Sequence, residues 1–297
     1  MSKILVTGGS GFLGSHIADA LTRTGHQVTL FDMYESKWKS DDQETVVGDI
    51  LDQELLTKAV EGKDVIYHLA ALADLNEAKT KPLETVQINI LGTVKLLEAA
   101  RLAGVKRVMF GSTVYVYSRH GGFYRCSKQA CENYIEEYYN KYGLEYTILR
   151  YGSLYGTRTD NRNGVYRLLK QFMEESQVSY QGSEDDKREY IHVEDAAELS
   201  VKALEDDYSN KHLTLTGNDK LTISELFKMF GEILNKDVHV LYDKGLPGKS
   251  GHYAVTPYTF IPKLGRKVVL NEYVDMGQGI IQVVEMIHNQ LNENREN

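Results

Sequence analysis

The octapeptide Thr7-Gly8-Gly9-Ser10-Gly11-Phe12-Leu13-Gly14 is the stretch that decides the fold predicted for this sequence. It follows the apolar, β-branched run Lys3–Thr7 and opens a helical pattern over residues 12–24, so its glycines lie in a strand-to-helix turn. Glycine lets the backbone turn tightly and approach a ligand, and the N–H groups at a helix N-terminus attract phosphate. The pattern predicts a dinucleotide-binding turn formed by Gly8, Gly11, Phe12, Leu13 and Gly14.

An acidic residue at the end of the second predicted strand selects the type of dinucleotide. Residues 27–31 form this strand, and Asp32 closes it. A carboxylate at this point accepts hydrogen bonds from a ribose 2′-hydroxyl and repels a 2′-phosphate, so NAD rather than NADP is the predicted cofactor. The alternative is a tight turn without a ligand and an acid that is there by chance.

Short apolar strands alternate with longer helical patterns through the first 150 residues. The predicted strands lie near residues 3–7, 27–31, 45–47, 64–68, 106–110 and 145–149, and the predicted helices near 12–24, 53–61, 83–103 and 123–142. Strands that are apolar on both faces and separated by helices form a parallel sheet with helices on both sides. The predicted fold class is therefore α/β, with a Rossmann-type doubly wound parallel sheet.

The pattern changes after Arg150. Helices are predicted near residues 164–175, 194–205, 222–234 and 277–289, with short extended pieces near 178–180, 212–216 and 238–241. This mixture predicts a smaller α/β lobe that packs on the first. The predicted domains are a cofactor-binding domain over residues 1–160 and a substrate-binding lobe over residues 161–297, with some crossing of the chain between them.

Composition excludes several classes of partner. The chain of 297 residues has 34 Lys and Arg against 42 Asp and Glu, a net charge of −8, which disfavours binding to nucleic acid or to an anionic membrane. The longest apolar stretch, residues 65–73, is far shorter than the ~20 residues of a membrane span, and the first residues contain no signal-peptide core. Cys126 and Cys131 lie on different faces of a predicted helix and suit neither a disulfide framework nor a metal site. We expect a cytoplasmic protein without a metal.

A second group of reactive residues lies in the segment Tyr124-Arg125-Cys126-Ser127-Lys128. Positions i and i+4 share a helix face, so the ammonium of Lys128 should lie near the phenol of Tyr124. This cation, with the positive nicotinamide ring, should lower the pKa of Tyr124 towards that of an acid/base catalyst. Thr113 follows a central strand at the ligand-binding edge of the sheet, and its hydroxyl should orient the reacting oxygen. A surface lysine on an amphipathic helix is the alternative, but the glycine turn in the same domain favours catalysis.

With these two motifs the sequence resembles the extended short-chain dehydrogenase/reductases, and among them the nucleotide-sugar epimerases and dehydratases. The resemblance covers nearly the whole chain, through the further segments Gly48–Ile50, His68–Ala71, Asn89–Thr93, Leu149–Gly156 and Arg188–Asp195. It implies cofactor contacts for Asp49 and Ile50 at the adenine, Leu69, Ala70 and Ala71 along the ribose and phosphates, and Tyr151 at the nicotinamide. It implies substrate contacts for Ser112, Ser153 and Arg188, the Arg188 guanidinium being suited to the diphosphate of a nucleoside-diphosphate sugar.

The sequence departs from the family pattern on the substrate side. Only 11 residues separate Thr113 from Tyr124, so the sugar end of the pocket should be more open than in relatives or be completed by another segment. Val114 and Tyr115 occupy the positions where the 4,6-dehydratases have Asp-Glu and the decarboxylases have a glutamate second, so the usual base of those relatives is missing. Ser153 stands where an asparagine commonly contacts the substrate.

The expected activity is therefore NAD-dependent 4-epimerisation of a nucleoside-diphosphate sugar through a 4-keto intermediate, with Thr113, Tyr124 and Lys128 as catalytic residues. A 4,6-dehydratase or a 4-dehydrogenase/reductase is the nearest alternative, and a dinucleotide-sensing regulator without catalysis is a distant one.

Three further expectations have plain structural alternatives. Arg188 would otherwise be a surface ion-pair partner of Glu184 or Asp185. In relatives, the helices that correspond to residues 83–103 and 123–142 form a dimer interface, which predicts a homodimer, but these helices would otherwise only face the core. The loop near residues 252–258 would either close over a substrate or merely connect.

Overall fold

The computed structural model describes residues 1–175, 177–237, 239–243, 252–260 and 276–296. The strands found there are β1 Lys3–Thr7, β2 Gln27–Asp32, β3 Gln43–Val47, β4 Val65–His68, β5 Arg107–Thr113, β6 Glu145–Tyr151, β7 Ser153–Tyr155, β8 Gln177–Gln181, β9 Lys187–His192, β10 Lys211–Leu215, β11 Asp219–Thr222 and β12 His239–Asp243. The α-helices are α1 Phe12–Arg23, α2 Gln53–Val60, α3 Leu75–Thr80, α4 Pro82–Thr85, α5 Gly92–Leu102, α6 Gly122–Tyr142, α7 Gly164–Glu174, α8 Val193–Lys202, α9 Ile223–Leu234 and α10 Met276–Glu296.

Seven strands form one parallel sheet in the order β10-β6-β5-β4-β1-β2-β3. The direction of winding reverses between β1 and β4, and open α/β sheets bind ligands in the crevice outside the carboxyl ends of the strands at such a point. The carboxyl ends of β1, β4 and β5 are therefore the predicted position of a site. The α/β fold class with a doubly wound parallel sheet is confirmed.

Apolar side chains on both faces of the large sheet explain why its strands are buried. In β1, Leu5 packs with residues of α2, α5 and α6, whereas Ile4 and Val6 pack on the other face with residues of α1 and α8. Successive residues of a strand point to opposite faces, so a continuous apolar run is what a sheet covered on both sides requires. This packing holds the glycine turn after β1 at the edge of a rigid core.

The chain after β6 builds two small sheets and returns once to the large one. The order of the first is β11-β9-β7, and β12 pairs with β8 in the second. A separate core, which includes Phe172, Tyr180, Phe227 and Phe230, lies between these strands and the helices α7 and α9. The strand β10 pairs with β6 at the end of the large sheet.

The chain divides into two compact units, residues 1–261 and 262–297. In its described part the second unit consists of α10. The boundary at residue 160 stays a prediction.

The helix predicted over residues 83–103 is interrupted. Residues Val86–Leu91 form a π-helical segment between α4 and α5. Within it the buried Asn89 donates from Nδ2 to the Leu72 carbonyl (3.1 Å) and to Ser127 Oγ (2.9 Å), and accepts from the Leu72 N–H (2.7 Å). Residues 86–91 contain neither glycine nor proline, so the sequence offered no helix-breaking residue that would mark the interruption.

The sequence analysis also missed α3. Its N-cap is Asp74, whose carboxylate accepts a hydrogen bond from the Glu77 N–H at 2.8 Å. The pair Asp74 and Glu77 has the spacing of a capping box, which was the available signal.

Candidate active site

The glycine turn after β1 has the shape that a phosphate group needs. Gly8 has φ +71°, and a Cβ at this position would lie 2.7 Å from the Ala70 nitrogen, so only glycine fits. The helix α1 follows at once, and within the described chain it has neither a side-chain cap at Gly11 nor an acidic residue in its first turn. The backbone N–H groups of Phe12, Leu13 and Gly14 lie in the first turn of this helix, where no helical carbonyl precedes them to accept a hydrogen bond. They can therefore donate to an anion. The turn therefore fits the pyrophosphate of a dinucleotide.

Asp32 lies beside this turn, as the sequence predicted. Its Oδ2 accepts a hydrogen bond from the Ser10 N–H at 3.0 Å, and the Gly8 N–H donates to the Phe31 carbonyl at 2.8 Å. The half-buried carboxylate is thus fixed at the carboxyl end of β2. This position fits a ribose 2′-hydroxyl and leaves a 2′-phosphate next to a like charge.

Asp49 and Ile50 follow β3 on the same side of the sheet. Asp49 is exposed, and the Gly48 N–H before it donates to the Asp32 carbonyl at 2.8 Å. Ile50 is buried, and its side chain lies against Gly92. Asp49 is accessible to an adenine, whereas the Ile50 side chain belongs to the core. Their contacts with adenine stay predictions.

The turn Leu69-Ala70-Ala71 after β4 is held by Thr7. The Thr7 hydroxyl oxygen accepts hydrogen bonds from the Leu69 N–H (3.2 Å) and the Ala70 N–H (3.3 Å). Leu69 also lies against Gly111 in β5, where a Cβ would be 2.7 Å from a Leu69 methyl carbon. The turn Leu69-Ala70-Ala71 therefore contacts the glycine turn on one side and the end of β5 on the other, at the point where the winding of the sheet reverses.

Tyr124 and Lys128 share one face of α6, as their spacing predicted. The Lys128 Nζ lies 5.8 Å from the centre of the Tyr124 ring and 4.5 Å from that of Phe110. It donates a hydrogen bond to the Gly111 carbonyl at 2.7 Å, so α6 is tied to the end of β5. Thr113 ends β5, is buried, and its Oγ1 accepts a hydrogen bond from the Tyr115 N–H at 3.3 Å. The three predicted catalytic residues thus belong to one region of the carboxyl edge.

The pKa of Tyr124 shifts in the direction opposite to the one predicted from the sequence. Burial raises the pKa of Tyr124, and burial lowers the pKa of Lys128 to about 8. Burial is the largest cause of this rise, and the charge of Cys131 acts in the same direction. A phenol that exchanges protons near neutral pH therefore needs further positive charge at the site.

A buried ion pair that the sequence analysis missed holds α6 against the sheet. Arg150 Nη2 and Glu132 Oε2 are 2.7 Å apart, and Arg150 Nε donates to Glu132 Oε1 at 3.0 Å. Ser112 donates to Glu132 Oε1 at 2.5 Å, and Arg150 Nη1 donates to the Tyr117 hydroxyl at 2.6 Å. The available signal was the spacing of Glu132, four residues after Lys128 on the same helix face. The Ser112 hydroxyl uses its proton in the hydrogen bond to Glu132, so it could only accept a hydrogen bond from a substrate. The predicted contact between Ser112 and the substrate stays a prediction.

Arg188 lies in β9 among tyrosines. Its Nη2 donates to the Tyr180 hydroxyl at 2.9 Å, and its guanidinium carbon lies 6.0 Å from the ring centres of Tyr180 and Tyr253. Its Nε is buried without a hydrogen-bond partner, and in the part of the chain that the structure describes Arg188 forms no ion pair with a carboxylate. The surface ion pair with Glu184 or Asp185 is thus not found there. A half-buried cation with a buried Nε donor, and with no carboxylate partner among the described residues, fits a site for an anion.

The two remaining predicted site residues are placed as follows. The hydroxyl of Ser153 lies 3.4 Å from that of Tyr253. The side chain of Tyr151 is buried in the core on the α8 side, where its hydroxyl lies 2.7 Å from Ser200 Oγ. Tyr151 would therefore meet a nicotinamide through its backbone only. The ligand contacts of both residues stay predictions.

Residues 252–260 cover the side of the site where the connection from Thr113 to Tyr124 is short. The Ala254 carbonyl accepts a hydrogen bond from the Lys187 N–H at 2.7 Å, and Thr256 Oγ1 accepts one from the Glu189 N–H at 3.1 Å. Tyr253 is 4% exposed and packs against the turn that contains Val114 and Tyr117. This loop is therefore more than a connection.

The described residues contain no group of three or more His, Cys, Asp or Glu side chains arranged to hold a metal ion. Among the same residues, no helix is both long and apolar enough to cross a membrane.

The fold and the site define a Rossmann-type dinucleotide-binding enzyme with a Tyr-x-x-x-Lys pair. A family model described as "NAD dependent epimerase/dehydratase family" matches residues 4–215, and the chain belongs to this family. The family description supplies NAD as the cofactor, and the glycine turn with Asp32 fits it.

Individual relatives and solved structures agree with this assignment. A putative UDP-glucose 4-epimerase from Methanocaldococcus jannaschii is 30% identical over 309 residues, covering 96% of this chain and 98% of the relative. A UDP-N-acetyl-alpha-D-glucosaminuronate decarboxylase from Bacillus cytotoxicus is 30% identical over 277 residues, covering 82% of this chain and 85% of the relative. The crystal structure of a UDP-glucose 4-epimerase with UDP-glucose from Thermotoga maritima has a TM-score of 0.79 and 27% identity, covering 87% of this chain and 90% of that one.

Proposed function

We propose that this protein converts a UDP-hexose into its 4-epimer with NAD as cofactor. The observation that supports this choice is a carboxyl edge with Thr113, Tyr124 and Lys128 but with Val114 and Tyr115 in place of acidic residues. Proton exchange at a single hydroxyl needs only the first three residues. Similarity to UDP-glucose 4-epimerases supports the same reaction.

Each of the three residues has a role in this reaction. Tyr124 takes the proton of the sugar 4-hydroxyl and later returns it, while Thr113 orients that hydroxyl. Lys128, fixed by the Gly111 carbonyl, holds the cofactor ribose and contributes positive charge near Tyr124. A bound NAD would supply the acceptor, and afterwards the donor, for hydride at carbon 4 of the sugar. The sugar turns between the two transfers, so that the product is the stereoisomer.

Binding is divided between the two sides of the site. Gly8, Gly11, Phe12, Leu13, Gly14 and Asp32, with the turn Leu69-Ala70-Ala71, would hold the cofactor. The Arg188 guanidinium would hold the diphosphate of the substrate, because it is a half-buried cation with a buried, unused Nε donor in the described structure. Ser112 and Ser153 would contact the sugar.

The same geometry disfavours the reactions of the dehydratases and decarboxylases, which eliminate water or carbon dioxide from the sugar. Those reactions need an acid or base beside the ketone in addition to the tyrosine. Tyr115 occupies this position, burial raises its pKa, and its hydroxyl is hydrogen-bonded to His252 at 2.6 Å. A neutral phenol is a poor replacement for a carboxylate.

Mass spectrometry together with proton NMR of the product tests the proposal, because epimers have the same mass but different proton couplings in the sugar ring. The protein with NAD is incubated with UDP-glucose, UDP-N-acetylglucosamine and UDP-glucuronate, with Tyr124→Phe as the matched control. We expect one substrate to give a stereoisomer of unchanged mass, without net formation of NADH. A product lighter by one water would indicate a dehydratase, loss of carbon dioxide a decarboxylase, and a ketone with stoichiometric NADH a 4-dehydrogenase.

We also infer a homodimer. Two neighbouring helical segments expose large apolar side chains, namely Leu83, Val86 and Leu91 before α5 and Phe123, Tyr134 and Tyr142 on α6. Such a surface favours contact with another copy of the chain. Sedimentation equilibrium tests it, and a monomer at micromolar concentration would contradict it.

Cytoplasmic location remains part of the proposal. Cys126 is exposed and Cys131 is buried, both as free thiols, which suits a reducing compartment.

A further inference from the structure

Two side chains that the reaction scheme does not use join the turn after Thr113 to residues 252–260. The Tyr115 hydroxyl lies 2.6 Å from His252 Nδ1, and the centres of the Tyr115 and Tyr253 rings are 4.8 Å apart. The Tyr115 ring also lies against Gly121, where a Cβ would be 2.8 Å from a ring carbon. The pair therefore borders the backbone that leads directly into Tyr124.

Tyr115 lies close to both groups that would hold the proposed substrate. Its ring centre is 4.8 Å from that of Tyr253, which in turn lies 6.0 Å from the Arg188 guanidinium carbon, and its ring packs against Gly121, three residues before Tyr124. A hexose with its 4-hydroxyl at Tyr124 and its diphosphate at Arg188 would therefore lie next to Tyr115. This geometric step rests on the proposed function.

We propose that Tyr115 and His252 act as one hydrogen-bonded unit that positions the hexose, and that residues 252–260 thereby determine which sugar the site accepts. In this unit Tyr115 belongs to the short connection between Thr113 and Tyr124, and His252 lies beside it. Tyr115 contacts the sugar, whereas His252 acts through Tyr115 as a positioning residue.

The charges around the pair decide how its proton is shared. Burial lowers the pKa of His252 to about 4; the charges of Arg188, Arg167 and His120 act in the same direction, and that of Asp74 opposes them. The imidazole is therefore neutral at pH 7, and in the tautomer with its proton on Nε2 the Nδ1 atom accepts a hydrogen bond from the Tyr115 hydroxyl. The phenol oxygen keeps lone pairs that can accept a hydrogen bond from a sugar hydroxyl, and the ring offers an apolar surface to the sugar.

Calorimetric titration of the NAD-loaded protein separates sugar binding from nucleotide binding. UDP and the three UDP-hexoses are titrated into the parent and into Tyr115→Phe, His252→Gln and the double variant. The hexose contribution is the ratio of the Kd of UDP to that of the tightest UDP-hexose. We expect each single variant to reduce this ratio by about 5-fold, the effect of one hydrogen bond, with the Kd of UDP unchanged within about 2-fold. The double variant should equal the worse single variant, because both remove the same interaction.

Tyr258→Phe is the matched control. It removes a hydroxyl from the same segment, one that donates to Glu189 rather than to the pair, and should leave the hexose contribution unchanged. Equal weakening of UDP and the UDP-hexoses would show a merely structural role and overturn the proposal. An unchanged ratio in Tyr115→Phe, additive losses in the double variant, or a parent that binds no UDP-hexose more tightly than UDP would also overturn it. Turnover is measured separately, so a parent that binds a UDP-hexose without epimerising it contradicts the proposed function alone.

Discussion

Acidification should destabilise this protein through His68, a histidine with no role in the proposed chemistry. His68 is 1% exposed, its Nδ1 lies 2.7 Å from Thr7 Oγ1, and its Nε2 lies 2.9 Å from Thr93 Oγ1. Thr93 donates its own proton to the Asn89 carbonyl, so Nε2–H must be the donor to Thr93. Nδ1 then accepts from Thr7. A second proton on the ring would face a hydroxyl that already donates to it.

Burial, with the charge of Lys128 as a smaller cause, lowers the pKa of His68 to about 3. In the unfolded chain the pKa of histidine is about 6.5, so between these two values the unfolded state binds the proton that the folded state excludes. The contribution to stability is fully present above pH 6.5 and is lost as the pH falls. It amounts to about 2 kcal/mol lost between pH 7 and pH 5, and about 4 to 5 kcal/mol by pH 3.

Urea denaturation at pH 7, 6 and 5 tests this magnitude, with His68→Gln as the comparison. Glutamine can accept from Thr7 and donate to Thr93 but does not titrate, while every other acidic and basic group is common to both proteins. The parent should lose about 2 kcal/mol more than the variant over this range. Equal losses would refute the reasoning, as would an NMR titration of the His68 ring with a midpoint above about pH 5.

Three further predictions concern the site. Tyr124→Phe should lower kcat by ~10²-fold or more while the melting temperature and the Kd of NAD stay unchanged, because phenylalanine fills the same space but transfers no proton; a parent-like kcat would remove Tyr124 from its role. By calorimetry the parent should bind NAD more tightly than NADP by ~1–3 kcal/mol. Asp32→Asn should reduce this difference in binding free energy, since asparagine keeps an acceptor for the Ser10 N–H but loses the charge, and an unchanged difference would exclude the carboxylate as its cause. Glu132→Gln should lower the free energy of unfolding, measured in urea, by about 3 kcal/mol, because it leaves the Arg150 guanidinium buried without its charged partner. Adding Arg150→Met should restore part of this loss, and no restoration would mean that the buried charge does not cause the loss.

The cofactor side of the site could be predicted because its motifs are local. The glycine turn, Asp32 and the turn Leu69–Ala71 each follow an apolar strand directly, and parallel strands bring their carboxyl ends to one edge. Tyr124 and Lys128 needed only the helical repeat. The direction of the Tyr124 pKa could not be predicted in the same way, because it depends on how deeply the phenol is buried.

The π-helical segment Val86–Leu91 could not be predicted from the sequence, for a different reason. Residues 86–91 contain neither glycine nor proline, so nothing in the sequence marked a break and one helix was predicted. The interruption turns Asn89 inward, where it holds Leu72 and Ser127 at the same time. Ser127 precedes Lys128, so this asparagine supports the position of a proposed catalytic residue by contacts that no spacing rule describes.

The substrate side depends on contacts between distant parts of the chain. Tyr115 and His252 are 137 positions apart, and the packing of residues 252–260 against β9 and the 114–117 turn brings them together. Lys128, by contrast, is positioned by Gly111 and the helix that contains it. Substitutions in residues 252–260 can therefore alter the shape of the sugar pocket while the geometry of Tyr124, Lys128 and Thr113 is preserved. In the proposed site, Tyr124 exchanges the proton, whereas Tyr115 and His252 determine which sugar binds, so the two tasks belong to different segments of the chain.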